Sequence, residues 1–145
     1  MALRELRPGV WEWQSPHPEW NEEEVWPELV SSCAIEVADD FLLFDPLAVP
    51  DELRERATAV VLTAPYHDRD ARRLGLPVHT PPADTWQDWV EKFGEVIVTG
   101  DSLSDFGDGL DIQLGGRKHV TRDDVVQRLR PLLDLPVELV LPAHG

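Results

Sequence analysis

From residue 31 onward, short β-branched or apolar runs alternate with stretches of helical spacing, the pattern of a layered α/β domain. Strands are expected at 32–37, 41–44, 59–63, 78–80, 95–99 and 138–141, runs of three to six residues rich in apolar or β-branched side chains. Asp39 and Asp40 separate the first two runs and mark a hairpin, because short acidic side chains tolerate turn geometry. Helices are expected near 51–56, 70–74, 85–93 and 123–133. The last has a start signal: the Thr121 hydroxyl can cap free amides while Asp123 and Asp124 complement the helix dipole. Pro131 should cut it short.

The first thirty residues show no such period. Trp11, Trp13, Trp20 and Trp26 stand among Pro8, Pro16, Pro18 and Pro27, which reads as an irregular segment covering the edge of a core. The alternative makes some of these tryptophans a wall of a ligand pocket. A glycine-rich loop is expected over 102–120, and no internal repeat or linker divides the chain, so residues 1–145 read as one domain.

Composition narrows the function. Thirteen basic against 28 acidic residues give a formal charge of −15, which repels nucleic acid and anionic membrane surfaces. Both are excluded as expected partners. The one cysteine, Cys33, permits no intramolecular disulfide, no charged-then-apolar leader opens the sequence, and no apolar run approaches the roughly 20 residues of a membrane helix. A cytoplasmic location follows as the expectation.

In open α/β architectures ligands gather at the carboxyl ends of strands, where loops converge. Four expected strands end in chemistry-bearing residues: Leu43-Phe44-Asp45-Pro46, then Leu62-Thr63-Ala64-Pro65-Tyr66-His67-Asp68-Arg69, then Thr99-Gly100-Asp101, then Leu141-Pro142-Ala143-His144-Gly145. One such ending is ordinary turn chemistry; four in succession are more specific.

This succession resembles the ordered signature of the metallo-β-lactamase fold, in which Leu-Ile-Asp-Thr/Pro is followed by His-x-His-x-Asp-His, then Gly-Asp, then Pro-x-His-Gly. The resemblance runs from Ser31 to the end and implies a layered αββα sandwich, shortened in its second half. Carried across position by position, the first two motif histidines fall on Ala64 and Tyr66, the aspartate on Asp68 and the third histidine on Arg69. Alanine cannot ligate and neutral tyrosine ligates zinc poorly, so one metal position is stripped. The resemblance leaves Asp68, Asp101 and His144 as a remnant of the second, with Arg69, a permanent cation, beside it.

Three readings follow. In the first, a metal-free degenerate domain uses Arg69 to neutralise Asp68, Asp101 or Asp45, has no cofactor, and keeps a binding or structural role in which Arg69, Asp45 and Tyr66 are the binding residues. In the second, Asp68, Asp101 and His144 hold one zinc or other divalent metal and activate water, with Asp68 and His67 as the catalytic pair, against an ester, thioester, lactone or phosphoester. In the third, the four endings are coincidental. A small molecule is the expected ligand, and the missing segment suggests a homodimer that completes the sheet across two chains.

Other candidates have plainer explanations. His67 follows a strand and is expected exposed on its loop, with a bond to a neighbouring carboxylate or metal and acid–base work as alternatives. His17, His79 and His119 lie in expected loops or at a strand edge. Ser102 and Ser104 lack the Gly-x-Ser-x-Gly surroundings of a nucleophile, and Gly107-Asp108-Gly109 lacks the spacing of a calcium loop, so turns are expected. Leu114-Gly115-Gly116-Arg117-Lys118 lacks the glycine spacing of a phosphate loop, and Cys33 reads as a small buried apolar residue.

Overall fold

A computed structural model describes residues 2–80, the backbone of 91–93, and residues 95–101, 103–112 and 121–145. The elements are β1 (Arg4–Arg7), β2 (Val10–Pro16), β3 (Leu29–Val37), β4 (Asp40–Phe44), α1 (Asp51–Arg54), β5 (Ala59–Val61), β6 (Val78–His79), β7 (Glu91–Phe93), β8 (Val96–Gly100), β9 (Ser104–Asp105), β10 (Leu110–Asp111), α2 (Arg122–Leu129) and β11 (Leu139–Pro142). Single 3-10 turns cover Ala71–Arg73 and Arg130–Asp134.

β1 to β6 form one mixed sheet in chain order: β1 through β4 pair antiparallel, and β5 and β6 add parallel. A second sheet has the order β11-β8-β7, with β11 parallel to β8. Side chains alternate across the first sheet with the period of two that strands impose. On one face Trp13, Ala34, Phe41, Leu43, Val60 and Leu62 pack with Leu53 of α1 and Ala71. On the other, Val10, Cys33, Ile35 and Phe44 meet Val96, Val98 and Leu141 of the second sheet. The apolar faces of two sheets, with helical turns outside, are what a layered α/β sandwich needs to exclude water from both sides of its central sheet.

The amino-terminal segment departs from expectation. Residues 4–16 form a hairpin rather than an irregular run. Trp11 and Trp13 share one face because they are two apart, and the buried Trp13 indole donates to the Leu47 carbonyl at 2.8 Å. Glu12 hid the alternation: it is buried on the opposite face, where it pairs with Arg4. Only the stretch between β2 and β3 is irregular, as expected of the whole.

Several elements shift. The helix expected at 51–56 is the four-residue α1, and that at 70–74 is a single 3-10 turn. The helix expected at 85–93 has its first six positions outside the described residues, and at 91–93 the backbone is strand β7, hydrogen-bonded to β8. Thr121 does cap α2: its hydroxyl accepts from the Asp124 amide while the Asp124 carboxylate accepts from Thr121. Pro131 falls in the 3-10 turn that follows, as a residue without an amide donor should. Within the loop expected over 102–120, β9 and β10 pair as a short hairpin around Gly107 and Gly109, whose amides both donate to Asp105 Oδ1. Residues 102 and 113–120, with Ser102, His119 and the basic pair at 117 and 118, lie outside the described residues. Among the described residues no helix is long and apolar enough to cross a membrane.

Candidate functional site

Asp45 directly follows β4 with φ at 45°, and Arg69 lies in the loop after β5 with φ at 39°, both in the left-handed region that L side chains avoid. Such conformations persist where surrounding bonds over-determine them, and both residues are held this way. Asp45 is 2% exposed. Its Oδ1 accepts from the Thr63 amide at 2.8 Å, its Oδ2 accepts from the Thr63 hydroxyl at 2.6 Å, and its backbone carbonyl accepts from Ser32 Oγ and Arg69 Nη1.

His67 stands between two carboxylates. Its Nδ1 is 3.1 Å from Asp45 Oδ2 and 3.0 Å from Thr63 Oγ1, and its Nε2 is 3.1 Å from Asp101 Oδ2. Burial alone would favour the neutral ring, but the Asp101 and Asp45 charges and their hydrogen bonds outweigh it and push the His67 pKa up to about 10. The side chain is therefore an imidazolium at neutral pH, donating from both nitrogens. Burial raises each carboxyl pKa in turn, yet the His67 charge dominates, holding Asp45 below and Asp101 well below the usual carboxylate range.

Asp101, just past β8, also receives the Tyr66 hydroxyl at 3.3 Å and lies 3.5 Å from His144 Nε2. His144 follows β11 and is positioned by backbone bonds on three sides: Ser31 N to Ala143 O at 2.7 Å, Ala143 N to Gly100 O at 3.0 Å and Asp105 N to His144 O at 2.9 Å. Its ring is flanked by Trp26 and Phe106, each centroid 5.5 Å away. These groups border a cavity of about 300 Å³, with Arg69, Tyr66, His17 and Ser104 completing much of the wall. His144 Nδ1 and Ser104 Oγ are buried there with no hydrogen-bond partner among the described residues.

The strand-end reading thus brings Asp45, Tyr66, His67, Arg69, Asp101 and His144 together. Asp68 is not among them: its side chain is 49% exposed and pairs with Arg72 at 3.7 Å, away from Asp101 and His144. The loop after β5 closes as tight turns, His67 N to Ala64 O and Ala71 N to Asp68 O, and these turn His67 inward and Asp68 outward. His67 is accordingly buried instead of exposed on its loop. Arg69 meets the expectation in part, since its charge helps hold the Asp45 carboxyl low, but it acts through space. Its Nη1 donates to the Ser31 carbonyl at 2.9 Å, Ser32 Oγ at 3.3 Å and the Asp45 backbone carbonyl at 2.6 Å, and it forms no ion pair with Asp68, Asp101 or Asp45. His17, Trp26, Ser104 and Phe106 were not legible as site residues, since each lies outside the motifs; the tryptophan-rich segment was the only hint, for Trp26.

The donors do not fit the metal pair that the resemblance implies. Ala64 is apolar and buried, Tyr66 donates to Asp101, Asp68 faces outward, and both nitrogens of His67 are engaged by carboxylates. Among the described residues no group of three or more His, Cys, Asp or Glu is arranged to hold a metal ion. His67 and Arg69 are the basic side chains nearest Asp45 at this position.

No family model matches the sequence, and no curated protein matches it. Solved structures do match. The chain superposes on the metallo-β-lactamase DIM-1 exposed to ceftazidime with a TM-score of 0.70 at 12% identity, covering 99% of this chain and 89% of that one. A metallo-β-lactamase from Erythrobacter litoralis gives a TM-score of 0.62 at 11% identity, covering 99% and 84%. One from Pontibacter korlensis gives 0.60 at 14%, covering 99% and 91%. Superpositions of this extent over 99% of the chain show that it has the metallo-β-lactamase fold.

Proposed function

We propose that the protein is a metal-independent, non-catalytic binding domain built on a degenerate metallo-β-lactamase site. The observation that carries this reading is the placement of His67 between two carboxylates, with Nδ1 3.1 Å from Asp45 Oδ2 and Nε2 3.1 Å from Asp101 Oδ2. The buried Asp45 and the half-buried Asp101 need compensating positive charge, because an uncompensated charge in a low-dielectric interior costs several kcal/mol. A metal could supply it; here a protonated ring does. Arg69, anchored by three bonds, adds a second fixed cation at the cavity wall. The remaining open space suits a small molecule, consistent with the about 300–1,000 Å³ of typical ligand sites.

The competing reading, a mononuclear hydrolase of an ester, thioester, lactone or phosphoester built on Asp68, Asp101 and His144, meets the outward turn of Asp68. Elemental analysis of protein purified without chelator, followed by zinc and manganese titration, separates the two. Metal-free protein with no saturable uptake is the expected result. About one metal per chain, lost in Asp101→Ala or His144→Ala, would establish the hydrolase reading.

A further inference from the structure

The cavity wall contains donors that the protein leaves unused. Arg69 Nη1 is occupied by Ser31, Ser32 and Asp45, but its Nε and Nη2 make no hydrogen bond among the described residues. These two nitrogens form one edge of the guanidinium, and that edge meets the two oxygens of a carboxylate in parallel bonds. His17 accepts from the Glu19 amide through Nδ1 at 3.3 Å, so its proton sits on Nε2, available as a further donor. His144 Nδ1 and Ser104 Oγ, on residues 7% and 0% exposed, are buried in the same wall without partners among the described residues.

We infer that the cavity binds a small organic carboxylate, with its head group on the Nε–Nη2 edge of Arg69 and its apolar body against Trp26 and Phe106. The inference rests on the metal-independent reading above and specifies its ligand. Charge selects the class. Both ring nitrogens of His67 are engaged by Asp45 and Asp101, so among the described residues Arg69 is the cation of the cavity with an unused hydrogen-bonding edge. Only a monoanion is matched by one such group. A phosphate dianion would place extra negative charge beside Asp101 and Glu19, in a protein whose net charge is already −15. Trp26 and Phe106 present aromatic surface on either side of His144, and aromatic walls with a few convergent polar groups are how small-molecule sites combine affinity with orientation.

The test is an NMR titration of the tryptophan indole amides, with Trp26 assigned through Trp26→Phe. Probes are benzoate, 3-phenylpropionate and hexanoate, each paired with its neutral primary amide. At least one carboxylate should shift the Trp26 resonance saturably, its amide binding about tenfold or more weakly, and Arg69→Lys should weaken the carboxylate by about tenfold with the fold intact. The amide comparison needs no variant and stands if Arg69→Lys fails to fold. Absence of any shift at Trp26, equal binding of acid and amide, or full affinity in a folded Arg69→Lys would overturn the proposal. Measuring metal content on the same sample separates the two levels. Metal-free protein that ignores carboxylates removes only the ligand class, whereas a stoichiometric metal removes the reading beneath it.

Discussion

Two residues set the character of the site, and each makes a separable prediction. His67 gives one positive charge to the buried Asp45 and the half-buried Asp101, so His67→Ala should cost roughly 3–5 kcal/mol in urea denaturation, chiefly because Asp45 is left as an unpaired buried carboxylate. Arg69 acts on backbone: its Nη1 holds the carbonyls of Ser31 and Asp45. Arg69→Ala should destabilise by about 1.5–3 kcal/mol for each charge-assisted bond lost, and unchanged thermal stability would show that these contacts carry no energy. Asp45, Asp101 and His144 were legible in the sequence because they follow strands directly, where the backbone direction fixes the side chain. His67 and Asp68 were not. They lie in a loop whose turns decide which of two adjacent side chains faces inward, and spacing within a motif carries no information on that choice.

At the level of elements, β3, β4, β5, β8 and β11 were legible because their apolar runs are continuous and lie against the two cores, and α2 was legible from its cap, whereas the helices expected near 51–56 and 70–74 are a single turn each. A four-residue helix such as α1 has few intrahelical bonds of its own, and it stays in place through Leu53, which is 1% exposed in the core. α2 differs, because among its residues Val125 alone is buried while its first turn carries a complete capping box. Its stability should therefore depend on the cap: Thr121→Ala is expected to lose about 1 kcal/mol, and helical circular dichroism should fall with little change in tryptophan fluorescence. The β1–β2 hairpin was hidden for another reason. Burying Glu12 against Arg4 puts a charge on an inward face, and a pattern that looks for alternating apolar residues skips such a strand.

For the whole molecule, the buried charges translate into a dependence of stability on pH. The His67 pKa is raised from 6.5 to about 10, so its contribution is complete below pH 6.5 and is lost as pH rises toward 10. Asp45 and Asp101 are depressed from 3.8, so theirs is complete above pH 3.8 and lost as pH falls through their folded values. Stability measured by urea denaturation should therefore be greatest between about pH 4 and 6.5 and decline on both sides, and His67→Ala should flatten the alkaline decline. A profile that rises between pH 7 and 9 would show that His67 is neutral in the folded protein.

The hydrogen bond from Ser31 to the Gly145 carbonyl joins residues 114 positions apart and ties β3 to the segment that carries His144. Closing so long a loop carries a large entropic cost before any contact rewards it, which places completion of the cavity late on the folding pathway. A ligand that fills the cavity has nothing to grip until then. Its stabilisation should lower the unfolding rate and leave the refolding rate unchanged, making occupancy a brake on escape from the native state rather than a guide toward it.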